Sequence, residues 1–241
     1  MKKILIIAFL LLCSVPYTTQ AAITFVASST IIQTGYAGGP VTATTTLAPN
    51  VGDLVVLTAH LWQDTPGTGS LSAATFNGGT MSRIINSRSV GTQCEMWYIV
   101  STTTGSKTVS TTVSGATDAR KIGVSAYTGT SATPFEATST TLSTGGDPTN
   151  SITTSNANDL VVSFLNRFGT TDAATNKTNV YKERAASTLM AASTIQTTTA
   201  GTYTDTYTGT SAADWCMGSA AFKAAATLSI FSKPYRIWGE W

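Results

Sequence analysis

Side chains that could perform chemistry are few in this 241-residue sequence, and its single histidine, His60, limits the options most. A serine or cysteine nucleophile activated by histidine would have to use His60, yet the sequence contains no Gly-x-Ser-x-Gly elbow. Clustered His or Cys metal sites are excluded by the residue counts, and no glycine-rich phosphate or nucleotide motif is present. We therefore expect no catalytic residue, no metal and no cofactor.

Two possibilities that depend on carboxylates stay open. A glycosidase needs only two of the 12 acidic residues, and calcium can be held by scattered aspartates and backbone oxygens, although no Asp-x-Asp-x-Asp-Gly loop occurs. Most of the acids, such as Asp53, Asp64 and Asp159, stand at turn positions, where their side chains bond to nearby backbone. This placement favours a non-catalytic protein.

A repeated tetrapeptide indicates the strands that would position any site. The sequence DLVV occurs at residues 53–56 and again at 159–162, and each copy follows a turn that contains Asn. Leucine and valine favour a strand at this length, and a run that is apolar at successive positions indicates burial on both faces. We predict that both copies are central strands of the fold.

Each predicted central strand leads to a polar residue followed two positions later by an aromatic one. These residues are His60 and Trp62 in the first copy, and Asn166 and Phe168 in the second. A ring beside a hydrogen-bonding group can stack on a sugar while fixing its hydroxyls, so we predict ligand binding at these four residues. The alternative is that both rings cover the edge of the core.

The rest of the chain contains short strand patterns separated by Gly, Ser and Asp, which is typical of an all-β sandwich. We predict a two-sheet antiparallel β-sandwich over residues 22–225. The offset from Leu54 to Leu160 is 106, whereas that from Met96 to Met190 is 94, so about a dozen residues are missing after the second central strand. The domain then consists of two similar halves, at about 41–130 and 150–225.

Several motifs resemble jelly-roll-like domains of uncharacterised bacterial secreted and phage structural proteins. The motifs are GDLVV at 52–56, MWY at 96–98, SAYTG at 125–129 and TPFE at 133–136. The resemblance covers about two-thirds of the chain after its leader and implies a sandwich of jelly-roll type. It implies no catalytic residue.

The N-terminus has the pattern of a signal peptide. Lys2 and Lys3 precede an apolar segment over 4–15 that is too short to span a bilayer, and small residues end at Ala21. We expect cleavage of residues 1–21 and secretion, with lipidation at Cys13 as the minor alternative. Without the leader the 12 basic residues balance the 12 acidic ones, so no nucleic-acid partner is expected, and no later segment predicts a membrane span.

Two cysteines remain after the leader, Cys94 and Cys216. An even pair in an exported chain predicts a disulfide, which would connect the first half of the domain to its last strand. The alternative is two buried free thiols.

The C-terminal segment, residues 226–241, is either a closing strand or an aromatic tail. Tyr235, Trp238 and Trp241 are candidate contacts for assembly into a homo-oligomer by strand addition. We predict a secreted, non-catalytic protein that recognises carbohydrate or a cell-surface polymer. A self-assembling subunit of an extracellular filament or phage-derived structure is the second hypothesis, and a glycan-active enzyme is the third.

Overall fold

The computed structural model describes residues 18–37, 41–62, 69–88, 91–114, 117–168, 174–185, 188–208 and 214–228. These residues form nineteen β-strands, and within them we find no helix that is long and apolar enough to cross a membrane. In chain order the first ten strands are β1 (Thr18–Gln20), β2 (Thr24–Ala37), β3 (Val41–Leu47), β4 (Leu54–Trp62), β5 (Ser70–Phe76), β6 (Gly79–Thr80), β7 (Ser82–Arg88), β8 (Thr92–Val100), β9 (Lys107–Ser114) and β10 (Thr117–Thr128). The other nine are β11 (Thr130–Ser143), β12 (Thr149–Thr154), β13 (Leu160–Phe168), β14 (Ala174–Thr175), β15 (Thr178–Ala185), β16 (Thr188–Gln196), β17 (Gly201–Thr208), β18 (Trp215–Ala224) and β19 (Ala226–Leu228).

Most of these strands form four stacked layers of antiparallel sheet. The first central sheet has the order β2-β10-β4-β8-β7, and the second central sheet has the order β11-β18-β13-β16-β15. A four-stranded sheet, β3-β9-β5-β6, covers the outer face of the first central sheet, and a three-stranded sheet, β12-β17-β14, covers the second. The predicted antiparallel β-sandwich is confirmed, but the structure has more sheets than the two we predicted.

The central strands explain the extra layers, because both of their faces are apolar. The residues of β4 and β13 are buried at successive positions, as the DLVV repeat predicts. One face of each strand packs against the other central sheet, where Leu54 and Val56 meet Leu160 and Val162. The opposite face needs a second cover, and the outer sheet of the same half provides it.

The two halves have the same strand order, with β2, β4, β8 and β10 equivalent to β11, β13, β16 and β18. Leu54 pairs with Tyr127 and Leu160 pairs with Phe222, so the pairing register is also the same. Each half of the structure includes one strand, β2 or β11, that precedes the predicted repeat and pairs with the last long strand of its half. Such non-local pairing leaves no trace in a local sequence pattern.

Equivalent glycines let the two central sheets approach closely. Gly123 of β10 and Gly218 of β18 occupy matching positions on the facing sides of these strands. A Cβ atom on Gly123 would lie 2.1 Å from the ring of Tyr181 in the other central sheet. A Cβ atom on Gly218 would lie 3.0 Å from Ile85 in the other central sheet and 2.5 Å from the ring of Phe164 on the neighbouring strand. At both positions, side chains of the facing sheet occupy or border the space that a side chain would need.

Hydroxyl groups dominate the outward faces of both outer sheets. Exposed pairs bond across β12 and β17, with Oγ–Oγ distances of 2.7 Å for Ser151 with Thr204 and 2.9 Å for Thr153 with Thr202. In the other outer sheet, Thr42 and Thr112 form a similar pair at 3.3 Å. This surface explains how a chain with only 11% charged residues covers its cores with polar groups.

The first and the last described strands form a small separate sheet, in which β1 pairs with β19. Residues 226–228 of the predicted tail are therefore a strand. Residues 1–17 of the predicted signal peptide, and the candidate assembly contacts Tyr235, Trp238 and Trp241, lie outside the described residues. Cleavage after Ala21 stays a prediction.

Candidate functional site

The two aromatic residues predicted to bind ligand stack on each other. Trp62 and Phe168 stand at the ends of the equivalent strands β4 and β13, with ring centroids 4.4 Å apart and ring planes 15° apart. Trp62 is half-buried and Phe168 is 37% exposed. Each ring therefore uses one of its faces on the other, and only the outer faces remain for a ligand.

The polar members of the predicted site lie inside the protein. His60 is 1% exposed and Asn166 is 0% exposed. Burial, with a contribution from the Lys121 ammonium, lowers the pKa of His60 to about 3, so the ring is neutral. Asn166 donates hydrogen bonds to the carbonyl oxygens of Ala59 (3.1 Å) and Gln93 (3.2 Å). Neither side chain is available to a sugar in bulk solvent.

The four predicted residues thus lie at the seam where the two central sheets meet. The disulfide between Cys94 and Cys216 crosses this seam, with a Cα–Cα distance of 6.0 Å, which confirms the predicted bond. Such a bond is consistent with an oxidising environment. Lys121 Nζ also crosses the seam and donates to the carbonyl oxygens of Thr188 and Glu183.

A groove with a different lining lies at another part of the junction between the halves. Its volume is about 390 Å³, which is within the usual range for small-ligand sites. Its apolar side includes Phe25, Tyr127 and Leu160, and its polar side includes Asn176, Lys177 and Thr194. Phe25 is 52% exposed, so this aromatic ring faces solvent at the mouth of the groove.

Backbone irregularity explains why the sequence pattern did not predict the groove. Strict alternation from Ile23 into β2 places Phe25 on the same side as the buried Ile23, which predicts burial of both. The pairing of β2 with β10 is irregular between Ala126 and Tyr127, and Phe25 there meets Tyr127 only edge-on, with ring centroids 6.0 Å apart. No local signal marks this position.

Gln196 holds the base of the groove together. In the amide orientation that satisfies both groups, its side chain donates to the Ile23 carbonyl (2.9 Å) and accepts from the Ile23 N–H (2.7 Å). The residue that directly precedes β2, in the first half, is thereby bound to the end of β16, in the second half. The groove is consequently a junction that neither half forms by itself.

Two carboxyl groups converge beside the turn that precedes β13. Glu136 of β11 is half-buried, Asp159 is fully buried, and their carboxyl groups contact each other. Burial and then the Glu136 carboxylate raise the pKa of Asp159 to about 7. Burial also acts to raise the pKa of Glu136, but hydrogen bonds from Asp159, Ser155 and Asn156 outweigh it, so the pKa of Glu136 is lowered.

This pair differs from a glycosidase site, because the acid and the nucleophile or base of such enzymes stand about 5 Å or more apart on either side of a bound sugar. Among the described residues, no group of three or more His, Cys, Asp or Glu side chains is positioned to hold a metal ion.

Comparison with protein-family models, with curated proteins and with solved structures finds no significant match to this chain. The fold therefore defines the class, an antiparallel β-sandwich protein, and the groove is its best candidate binding site.

Proposed function

We propose that this is a secreted, non-catalytic protein that recognises carbohydrate, and that the groove at Phe25 receives the sugar. The observation that carries the proposal is an aromatic ring, 52% exposed, that lines a groove of about 390 Å³ together with polar side chains. Aromatic rings stack on the apolar face of a sugar, and nearby polar groups then bond its hydroxyls. Asn176, Lys177 and Thr194 are placed for that second task.

The proposed ligand class is the one that the sequence predicts, but the proposed main site is the Phe25 groove and not the four predicted residues. Of the four predicted ligand residues, Trp62 and Phe168 retain accessible surface, whereas His60 and Asn166 are buried. A ring without an accessible hydrogen-bonding partner gives little selectivity for a sugar. The Phe25 groove combines both features.

The test is retention of the exported protein on a panel of polysaccharides, including cellulose, chitin, α-glucans and peptidoglycan. We expect Phe25→Ala to weaken retention at least tenfold while the protein stays folded, because the ring is half exposed. Ile32→Ala is the matched control, since Ile32 lies on the same strand, is 39% exposed and does not line the groove. Equal retention of Phe25→Ala and the wild type would reject the groove, and no retention on any glycan would reject carbohydrate recognition.

A second function, assembly through terminal strands, is favoured by a different observation. The partner of β19 is β1, and the predicted cleavage after Ala21 removes β1. An unpaired strand then presents free backbone groups that can join the sheet of a second copy. Size-exclusion chromatography and negative-stain microscopy of the exported chain, and of a chain ending at Ala225, test this. Monomers in both cases would reject assembly.

A further inference from the structure

The groove at Phe25 has an equivalent place at the other side of the junction between the halves. The strand β2 lies against β15 at one side, and its equivalent β11 lies against β7 at the other. Phe25 pairs with Tyr127, and Phe135 pairs with Phe222, which is the residue equivalent to Tyr127. Phe25 and Phe135 therefore occupy the same position at two related places of one molecule, and the two places can be compared directly.

The place at Phe135 is filled by the ring of Tyr98. The two ring centroids lie 5.8 Å apart with ring planes 23° apart, and both rings are half-buried. Thr194 is the residue equivalent to Tyr98, because each pairs with the last valine of its own DLVV copy. The short Thr194 side chain leaves Phe25 52% exposed. The groove is thus the space that a six-membered ring occupies in the other half.

The second difference between the two places is a charge. Lys177, immediately before β15, lines the groove, whereas the equivalent residue, immediately before β7, is Met81. Met81 is buried in the core of the first half, so the fold does not require a lysine here. Lys177 is the only charged residue among those that line the groove. Within the described part of the chain, its ammonium has no ion-pair partner.

The segment that carries Lys177 is fixed by its own hydrogen bonds. The Lys177 N–H donates to Thr175 Oγ1 (3.1 Å), and that hydroxyl donates to the Asp205 carboxylate (2.8 Å). The Asn176 N–H donates to the Thr206 carbonyl (3.3 Å), and Asn176 Oδ1 accepts from the Thr206 N–H (3.2 Å). The side-chain NH₂ of Asn176 remains for a ligand. This side of the groove therefore offers pre-positioned hydrogen-bond donors, which suit a ligand with negatively charged acceptors.

We propose that the sugar bound in the groove is acidic, with its ring on Phe25, as Tyr98 lies on Phe135, and its negative group on Lys177. This inference rests on the proposed function and specifies its ligand. The carboxylate of a uronic acid and a sulfate ester both have the required charge, and an ammonium makes charge-assisted hydrogen bonds with either. No acidic residue among those that line the groove would repel such a group. A neutral sugar would gain the stacking but not the ion pair.

The experiment measures retention of the exported chain on polygalacturonate, chondroitin sulfate and neutral dextran. At low salt we expect retention on at least one of the acidic polymers to be tenfold stronger than on dextran, and this preference should vanish at about 1 M NaCl, where the Debye length is about 3 Å. Lys177→Met, which introduces the residue type of the first half, should remove the preference and leave retention on dextran unchanged. Lys107→Met is the matched control, because Lys107 is also half-buried but does not line the groove.

Thr194→Tyr tests the placement of the sugar ring. The new ring should fill the groove as Tyr98 fills the equivalent place, and retention on every polymer should be lost in a protein that melts cooperatively. A folded Thr194→Tyr that binds like the wild type would overturn the placement, and if this variant does not fold, Lys177→Met decides.

Two outcomes would overturn the inference and leave the proposed function intact, provided that Phe25→Ala still weakens retention. One is equal retention of the wild type on acidic and neutral polymers. The other is equal retention of the wild type and Lys177→Met on the acidic polymers. Absence of retention on any glycan would reject the inference together with the proposed function, so the two failures are distinguishable.

Discussion

Trp62 and Phe168 stack face to face across the two halves of the protein, although 106 residues separate them in the chain. They stand at the same position of equivalent strands, so the internal repeat brings two matching strand ends into contact. The pair closes one edge of the seam that also contains His60, Asn166 and the disulfide. A position that the sequence suggested for ligand binding thus fastens one half to the other.

Removing either ring of this stack should lower stability without changing glycan retention. We expect Trp62→Ala and Phe168→Ala each to reduce the free energy of unfolding, and a double-mutant cycle to give a coupling of about 0.5–1.5 kcal/mol. Urea denaturation of the four proteins measures the coupling. Additive effects would show that the stack contributes no pairwise energy, and lost glycan retention in Trp62→Ala would restore the binding role predicted for this residue.

The disulfide should be a major contributor to stability because it closes a long loop. Cys94 and Cys216 are 122 residues apart, for which the chain-entropy relation gives about 4–5 kcal/mol. We expect a reducing agent to lower the melting temperature of the wild type, measured by calorimetry. The double variant Cys94→Ala with Cys216→Ala should melt at the lower temperature and no longer respond to the reductant. A response in this variant would show that the reductant acts elsewhere.

His60 should make the folded protein sensitive to acid. Its pKa is about 3 when folded and about 6.5 when unfolded, so the unfolded chain binds an extra proton between these values. As the pH falls below 6.5, the wild type should lose about 1.4 kcal/mol per pH unit from this group alone. Relative to the wild type, His60→Gln should therefore become more stable as the pH falls. A constant difference between pH 3 and pH 7 would contradict the burial of a neutral ring.

Asp159 should give the opposite pH dependence. Its pKa is about 7 when folded and near its ordinary value when unfolded, so the folded chain binds the extra proton between about pH 4 and pH 7. This contribution to stability is present at low pH and is lost as the pH rises. The stability of Asp159→Asn relative to the wild type, measured by urea denaturation, should rise with pH by at most about 1.4 kcal/mol per unit, because the lowered pKa of Glu136 partly offsets the effect.

The sequence alone predicted the all-β class and the internal repeat, because these depend on local patterns, and the cysteine count predicted the disulfide. The DLVV runs are apolar at successive positions, and that composition requires covers on both faces of β4 and β13. The matched positions of Trp62 and Phe168 likewise follow from equal spacing within two equivalent strands. Two cysteines in a chain with a predicted leader left one intramolecular pairing.

Only the tertiary structure decided how many layers the fold has and where a ligand site lies. The two halves pack through their central sheets, which buries His60 and Asn166 at an interface that strand patterns do not report. The Phe25 groove and the Glu136–Asp159 pair each join residues that are distant in the chain. Their positions depend on an irregularity in the pairing of β2 and on the pairing of β11 with β18, and such contacts between distant strands have no local sequence signal.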